Sequence, residues 1–236
     1  MEVFEMKKII NLLFMPMICV TVIMLVFVTG AHAAPGIGEI IQFGGYDWRV
    51  LDEQGGKALI ITNDVIERRF YNDKRAAVTW ETCSLREYLN GEFYAKFTKE
   101  EQERIAETRV NNSDNLWYGS SSGGDTTDKV FLLSFEEADK YFGDSGDYLN
   151  KRRKKNIGQY PNNKWVSEDN GSCLSNANDN DRIAKYDDEA SWWWLRSPGY
   201  RGYFASIVDS GGNANAYGVL ADRDDGGIRP ALWINL

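Results

Sequence analysis

The chain after residue 38 begins with short hydrophobic runs separated by pairs of glycines. The runs cover residues 39–43, 46–51 and 58–61, and Trp48 and Val50 share one face of the second run. Apolar or alternating runs of this length, bounded by turn residues, are typical of β-strands. The pattern therefore predicts an N-terminal β-meander of three strands.

The middle of the chain changes to a helical spacing of apolar positions. A stripe with this spacing predicts a core-facing helix, and its members are Leu85, Tyr88, Leu89 and Phe93. We assign a structural role to Leu85 and Leu89. Residues 98–106 and 134–143 each begin with a capping signal, and they predict two further short helices.

The last third returns to strand patterns. The predicted strands are residues 191–197, 203–208, 214–220 and 227–236. The second and third of these form a C-terminal β-hairpin, and the fourth is a terminal strand. Polar residues 111–128 and 144–190 predict long loops, and residues 130–133 predict a short buried strand. Strands at both ends around a helical middle predict an α+β fold, in one domain over residues 34–236.

The N-terminal segment carries a different signal. Residues 9–28 are almost wholly apolar, follow Lys7-Lys8, and precede the small-residue pattern at residues 31–33. This order is typical of a secretory signal peptide, which we predict over residues 1–33. An uncleaved anchor stays open, because about 20 apolar residues can span a bilayer. With either outcome we expect a secreted or cell-surface protein, and membrane contact only through this segment.

Composition excludes several classes of function. The net charge is −8, with 27 Lys+Arg against 35 Asp+Glu, which argues against nucleic-acid binding because that binding depends on cationic neutralisation of phosphates. The single histidine, His32, lies in the predicted signal peptide, so the remainder lacks His-based catalytic and metal sites. Cys83 and Cys173 remain. An exported location permits a disulfide between them, and two free thiols are the alternative.

Three motifs are more specific than the fold class. They are TWETCSLREYLN at residues 79–90, WWLRSPG at residues 193–199 and GGIRPALW at residues 226–233. With these motifs the chain resembles an uncharacterised domain family of exported proteins from Gram-positive bacteria, over about residues 38–236. That family is similar to the C-type-lectin-like fold, which includes the formylglycine-generating sulfatase-modifying enzymes.

The resemblance implies a C-type-lectin-like single domain. Domains of this fold mostly bind sugars, proteins or calcium, and some relatives diversify a segment that matches residues 199–225 here. The tripeptides of calcium-dependent sugar binding, Glu-Pro-Asn or Gln-Pro-Asp with Trp-Asn-Asp, do not occur in this sequence. The closely spaced reactive cysteine pair of the sulfatase-modifying enzymes is also missing.

We place the predicted binding surface on the C-terminal hairpin and its flanking turns. Tyrosine, asparagine and arginine side chains there offer flat apolar faces and adaptable hydrogen bonds. The candidates are Tyr200, Arg201, Tyr203, Asn213, Asn215, Tyr217, Arg223 and Asp224. A solvated hairpin without a binding role is the alternative, and the Trp117-Tyr118 loop is the next candidate surface.

Other features have two interpretations each. Residues 192–194 are three tryptophans, which either pack in the core, as we expect for Trp194, or form a stacking platform. Arg196 and Arg229 lie in apolar predicted strands, where a buried arginine needs partners. We expect structural ion pairs, with anion binding as the alternative, and the expected partners are Asp222, Asp224 and Asp225.

Three polar clusters complete the candidates. The oxygen-rich turns at residues 176–181 and 222–226 make calcium possible, although neither has EF-hand spacing, and solvated turns are the alternative. The basic run at residues 151–155 either contacts anionic wall polymers or is a solvated loop. Glu136 and Glu137 are either an acid–base pair for glycan hydrolysis or acidic residues favoured at a helix N-terminus.

The main hypothesis is an exported, non-catalytic module that binds a glycan, a wall polymer or a surface protein. The alternatives are an enzyme related to the sulfatase-modifying factors or a glycan hydrolase, and a structural surface domain. We expect no nucleic-acid partner and no cofactor, apart from the calcium left open above.

Overall fold

The N-terminal hydrophobic runs form antiparallel strands. A computed structural model describes residues 34–142, 173–174 and 178–236. Its first three strands are β1 (Ile40–Phe43), β2 (Tyr46–Gln54) and β3 (Lys57–Thr62). Trp48 is fully buried and its indole Nε1 donates to the Phe43 carbonyl at 2.7 Å, which joins β2 to β1 across the core. The predicted meander is confirmed.

The helical spacing of the middle segment gives several short helices rather than one long helix. The α-helices of the described residues are α1 (Ser84–Tyr88), α2 (Lys99–Arg104), α3 (Phe135–Phe142) and α4 (Asp179–Arg182). After α1 the chain continues as a π-helical turn over Leu89–Phe93. Asn90 lies in this turn and donates to the carbonyls of Arg86 and Val130. The long-range contact with Val130 holds Asn90 in the widened turn.

Six further strands in the described residues are short. They are β4 (Glu67–Arg68), β5 (Thr108–Val110), β6 (Thr126–Asp128), β7 (Cys173–Leu174), β8 (Ala184–Tyr186) and β9 (Glu189–Ser191). Because β6, β7, β8 and most of β9 lie within the loops predicted at residues 111–128 and 144–190, those loops are not continuous, whereas β4 and β5 lie outside them. The basic run at residues 151–155 and the predicted signal peptide lie outside the described residues.

The last third forms the centre of a second sheet. Its strands are β10 (Trp193–Pro198), β11 (Phe204–Val208), β12 (Ala214–Leu220), β13 (Gly227–Ile228) and β14 (Ala231–Asn235). The second sheet has the order β4-β13-β10-β11-β12-β7, and the first has the order β1-β2-β3-β14. Every residue of β10 is buried, so Trp193 and Trp194 pack in the core on both faces of the strand.

Two strand predictions near the C-terminus need correction. The predicted single strand at 227–236 is two strands in two different sheets. Pro230 lacks an amide hydrogen and cannot continue a ladder, and the chain crosses between the sheets at Arg229-Pro230. Residues 130–133 are buried but make only one isolated bridge, from Phe131 to Ala231, so the strand predicted there is wrong.

The described residues have the α+β class that the sequence predicts, with two main sheets and short helices. Ala34–Leu236 form one compact unit. None of the helices in the described ranges is long and apolar enough to cross a membrane.

Candidate binding surface

A bulge in the C-terminal hairpin positions Tyr217. The register of β11 and β12 shifts between Ala205 and Ile207. Gly218 has a φ of +70°, and a Cβ there would lie 2.0 Å from the Ala205 carbonyl oxygen, so only glycine fits. The side chain of Asn215 accepts hydrogen bonds from the amides of Tyr217 and Gly218 at 2.9 and 3.3 Å. Together these contacts fix the direction of Tyr217 beside the bulge.

The turn after β10 brings Tyr200 against Tyr217. The Tyr200 amide donates to the Tyr217 carbonyl at 2.8 Å, and the two rings stack with centroids 4.9 Å apart and planes 7° apart. The ring of Tyr118 meets both rings edge-on, at 5.1 and 5.8 Å. We name the cluster of Tyr118, Tyr200, Arg201, Tyr203, Phe204 and Tyr217 the tyrosine patch.

The tyrosine patch combines apolar faces with polar atoms. The guanidinium of Arg201 lies 4.9 Å from the Tyr200 ring centroid and donates to the hydroxyls of Tyr203 and Tyr200 at 3.1 and 3.3 Å. Tyr217 is the most accessible of the rings, with 36% of its surface exposed. The patch thus offers part of an aromatic stack, several hydroxyls and one cation to solvent.

Asn115 attaches the Tyr118 loop to the hairpin. Its buried side chain donates to the carbonyls of Pro198 and Ala216 at 2.7 and 2.8 Å, and accepts from the amides of Trp117 and Tyr118 at 3.0 and 3.2 Å. Sequence reasoning missed this residue. Asparagine in a polar segment indicates a local turn, but nothing in the sequence indicates partners more than 80 positions away.

The structure divides the predicted binding residues into separate groups. Tyr200, Arg201, Tyr203 and Tyr217 come together in the tyrosine patch, and the side chain of Asn215 supports it by accepting from the amides of Tyr217 and Gly218. Asn213 instead donates to Asp209 within the hairpin turn.

The other two predicted binding residues lie elsewhere. Arg223 pairs with Asp225 at 2.6 Å and lies 5.4 Å from the ring centroid of Trp192. Trp192 precedes β10, whereas Tyr200 follows it, so Arg223 lies at the other end of that strand. Asp224 is exposed.

Arg196 is buried and fully partnered. It forms an ion pair with Glu137 through both terminal nitrogens, one contact being 2.9 Å. It also donates to the carbonyls of Leu132 and Asn111 at 2.8 and 3.0 Å. Burial raises the pKa of Glu137, but the charge and hydrogen bonds of Arg196 outweigh this effect, and the pKa is lowered. Arg196 therefore joins β10 to α3 and to the loop after β5.

Arg229 is fully buried without an anionic partner among the described residues. Its guanidinium donates to the carbonyls of Thr62 and Asn63 at 2.8 and 2.9 Å, and lies 5.1 Å from the ring centroids of both Trp193 and Phe142.

The partners expected for the two arginines from the sequence are wrong. In the described part of the chain Asp222, Asp224 and Asp225 pair with neither Arg196 nor Arg229. Chain proximity favoured these carboxylates, but Asp225 pairs with its own neighbour Arg223.

A family described as Domain of unknown function (DUF6273) matches residues 55–236. The chain belongs to this family. The predicted membership of an uncharacterised domain family is thereby confirmed. The comparisons with curated proteins and with solved structures gave no match. The matched residues include every member of the tyrosine patch.

Within the DUF6273 domain the three sequence motifs form buried networks. In the first motif Trp80 and Arg86 donate to the buried carboxylate of Asp128 at 2.9 and 2.7 Å. Gly226 of the third motif lies so close to Trp194 of the second that a Cβ would be 1.9 Å from the indole nitrogen. These contacts hold the fold together, so the motifs identify the family without indicating an activity.

Cys83 is a free, buried thiol in the DUF6273 domain. The disulfide considered from the sequence is therefore wrong for this residue. Burial raises the pKa of Cys83 to about 12, and a thiol that stays protonated at neutral pH is a poor nucleophile. Its sulfur accepts a hydrogen bond from the Arg86 amide at 3.4 Å, which caps the start of α1.

Two of the remaining acidic candidates of the DUF6273 domain, Glu137 and Asp225, have structural partners. Glu137 is held by Arg196 and by the Ser134 amide at 3.0 Å. Asp225 is held by Arg223. Across the described ranges, no group of three or more His, Cys, Asp and Glu residues could hold a metal ion. Part of the oxygen-rich turn at 176–181 lies outside the described residues.

Proposed function

We propose that this protein is an exported, non-catalytic binding module that recognises a glycan at the tyrosine patch. The observation that carries the proposal is the stacked pair of Tyr200 and Tyr217, bordered by Arg201 and partly open to solvent. A sugar ring has apolar C–H faces and hydroxyl edges. Aromatic faces bind the former, and tyrosine hydroxyls and a guanidinium bind the latter.

The composition of the patch favours a glycan over a protein ligand. Protein interfaces of standard size centre on a fully buried apolar core with a polar rim. In the tyrosine patch Arg201 lies over the Tyr200 ring and donates to the hydroxyls of Tyr200 and Tyr203, so polar atoms directly contact the aromatic rings. This mixture suits a polyhydroxylated ligand, free or as part of a wall polymer.

Two parts of the proposal, export and the C-type-lectin-like fold, rest mainly on the sequence. The signal-like segment at residues 1–33 supports export and a secreted or cell-surface location. The three motifs, together with the α+β class, support a C-type-lectin-like fold. We keep calcium as an additive to be tested, since the fold includes calcium-dependent binders.

Two observations favour a binding module over the enzyme alternatives. Both carboxylate oxygens of Glu137 are bound by Arg196, which leaves no free acid beside Glu136 for glycan hydrolysis. Cys83 is buried with a raised pKa, which does not suit the redox chemistry of a sulfatase-modifying enzyme.

The test is a glycan array with residues 34–236, with and without calcium, followed by titration of any ligand found. We expect Tyr200→Ala and Tyr217→Ala to weaken binding by about 1 kcal/mol or more, with a nearly unchanged melting temperature. Tyr186→Ala is the matched control, because Tyr186 is a half-buried tyrosine on the separate β8–β9 hairpin. Binding that survives both patch substitutions would exclude this surface. A protein that binds no glycan would favour the structural alternative.

A further inference from the structure

A second concave site, which shares no residue with the tyrosine patch, is a cleft of about 320 Å³ between β2 and α3. One wall is Arg49 and its neighbours on β2, and the other is Lys140, Tyr141 and Phe142 at the end of α3. Asn178 and Asp181, at and in α4, line the remaining side. The cleft is large enough for a small ligand.

Arg49 lines this cleft without a hydrogen-bond partner for its Nε among the described residues. This Nε is buried, and the guanidinium makes no ion pair with any carboxylate of the described residues. The residue as a whole is half-buried, but a buried donor that lacks a hydrogen bond is costly. An arginine in this condition indicates that an anion supplies the partner.

The charged groups around Arg49 do not neutralise it. Lys140 faces it from α3 and is held by Asp52 at 3.4 Å, and Asp181 lines the cleft from α4 without pairing with Arg49. Buried Arg229 is a second cation near Arg49, and its pKa is lowered by burial and by the charge of Arg49, with partial compensation from Asp64. Arg49 thus lies near a second cation, and among the described residues none of the nearby carboxylates Asp52, Asp64 and Asp181 forms an ion pair with it.

We propose that the cleft binds an oxyanion group, either carboxylate or phosphate, with Arg49 as the principal ligand and Lys140 as a second donor. The planar guanidinium suits two-point contact with either group. The ammonium of Lys140 on the facing wall adds positive charge, and it acts as a point charge that needs no particular orientation of the oxyanion. The volume leaves room for the rest of a small molecule or a polymer end beside the anionic group.

The experiment uses the full chain and two probes, inorganic phosphate and acetate. Each is titrated at constant ionic strength while the unfolding midpoint and the heat of binding are measured. We expect a saturable rise of the midpoint with at least one probe. Saturation by phosphate alone assigns the cleft to phosphate groups, saturation by acetate alone assigns it to carboxylates, and saturation by neither overturns the proposal.

The variants distinguish binding from structure. Arg49→Gln should weaken the response about 10-fold or more, without lowering the midpoint of the anion-free protein, because it also relieves the repulsion with Arg229. Arg75→Gln removes the same charge from an exposed loop and should bind like the unaltered chain. If Arg49→Gln does not fold, Lys140→Gln decides, since that side chain is 56% exposed and its loss should weaken binding several-fold. An unchanged response in Arg49→Gln, or in Lys140→Gln where that variant decides, would overturn the proposal.

Discussion

Arg196 connects three segments that are far apart in the sequence, and Glu137 is its only carboxylate partner in the described residues. Glu137→Gln keeps the shape of the side chain but leaves a guanidinium that is 3% exposed without an anion. We predict a loss of about 3 kcal/mol in the free energy of unfolding, measured by urea denaturation at pH 7.

The neighbouring residue provides the control for this substitution. Glu136→Gln removes the same charge from the same turn of α3, but Glu136 has no ion pair in the described part of the chain. Glu136→Gln should lower the free energy of unfolding by less than about 0.5 kcal/mol. Equal effects of the two substitutions would mean that helix-terminal charge, rather than the pair with Arg196, accounts for the stability.

The same pair predicts the pH dependence of stability. The pKa of Glu137 is lowered in the folded state, whereas an unfolded glutamate titrates near about 4.3. The stabilisation is therefore fully present above about pH 5 and is lost as the pH falls through the folded pKa. We predict that unfolding free energy falls less steeply below pH 4.3 in Glu137→Gln than in the unaltered protein, in a series of urea denaturations from pH 7 to pH 3. Parallel curves would show that other carboxylates dominate acid unfolding.

At the level of elements, the bulge between β11 and β12 depends on Gly218. In Gly218→Ala the new methyl group would meet the Ala205 carbonyl, in a backbone conformation that L-residues rarely adopt. We predict a loss of more than about 3 kcal/mol, measured by thermal and urea unfolding. Gly45→Ala separates the two causes, because Gly45 has a φ of +80° with open space around it. That variant should lose only about 1 kcal/mol, and an equal loss in both would exclude the steric contact.

The elements that were predicted correctly from the sequence are those that a local pattern of residues determines. Paired glycines bound the strands of the meander, and the capping residues Thr98 and Ser134 begin α2 and α3. The pattern failed where distant contacts decide the local structure. Asn90 donates to the Val130 carbonyl, and the chain there forms a π-turn.

The same division applies to the candidate site. Residue chemistry selected Tyr200 and Tyr217 as candidates, because tyrosines beside glycines are suited to recognition, and the structure brings the two rings together. Residue chemistry could not show that Asn115 brings Tyr118 to them. It also grouped Arg223 with the hairpin, although the chain after β12 leads that residue away to Trp192.

For the whole molecule, the terminal strands complete both sheets. Residues Leu232 and Ile234 of β14 are buried against β3, and each contributes about 1.5–3 kcal/mol by burial alone. Because a domain of this size has about 5–15 kcal/mol of stability in total, we predict that a chain ending at Pro230 does not fold. Near-ultraviolet circular dichroism should show no fixed aromatic environment.

The control for this truncation removes only Leu236, which is 48% exposed. Its single backbone hydrogen bond to Gly56 is the main loss, at about 1 kcal/mol. That chain should retain the aromatic signal and a cooperative transition. A folded chain ending at Pro230 would show that β14 is dispensable.

The crossing at Arg229-Pro230 has a consequence for biosynthesis. All residues up to Gly226 leave the ribosome before the segment that inserts beside β10 in one sheet and beside β3 in the other. During that interval both strands present unpaired backbone groups, which other chains can recruit by edge-to-edge association. Translation that stalls just before residue 227 would therefore leave a nascent chain with two unpaired strand edges, and a holding chaperone would have to protect these edges until synthesis resumes.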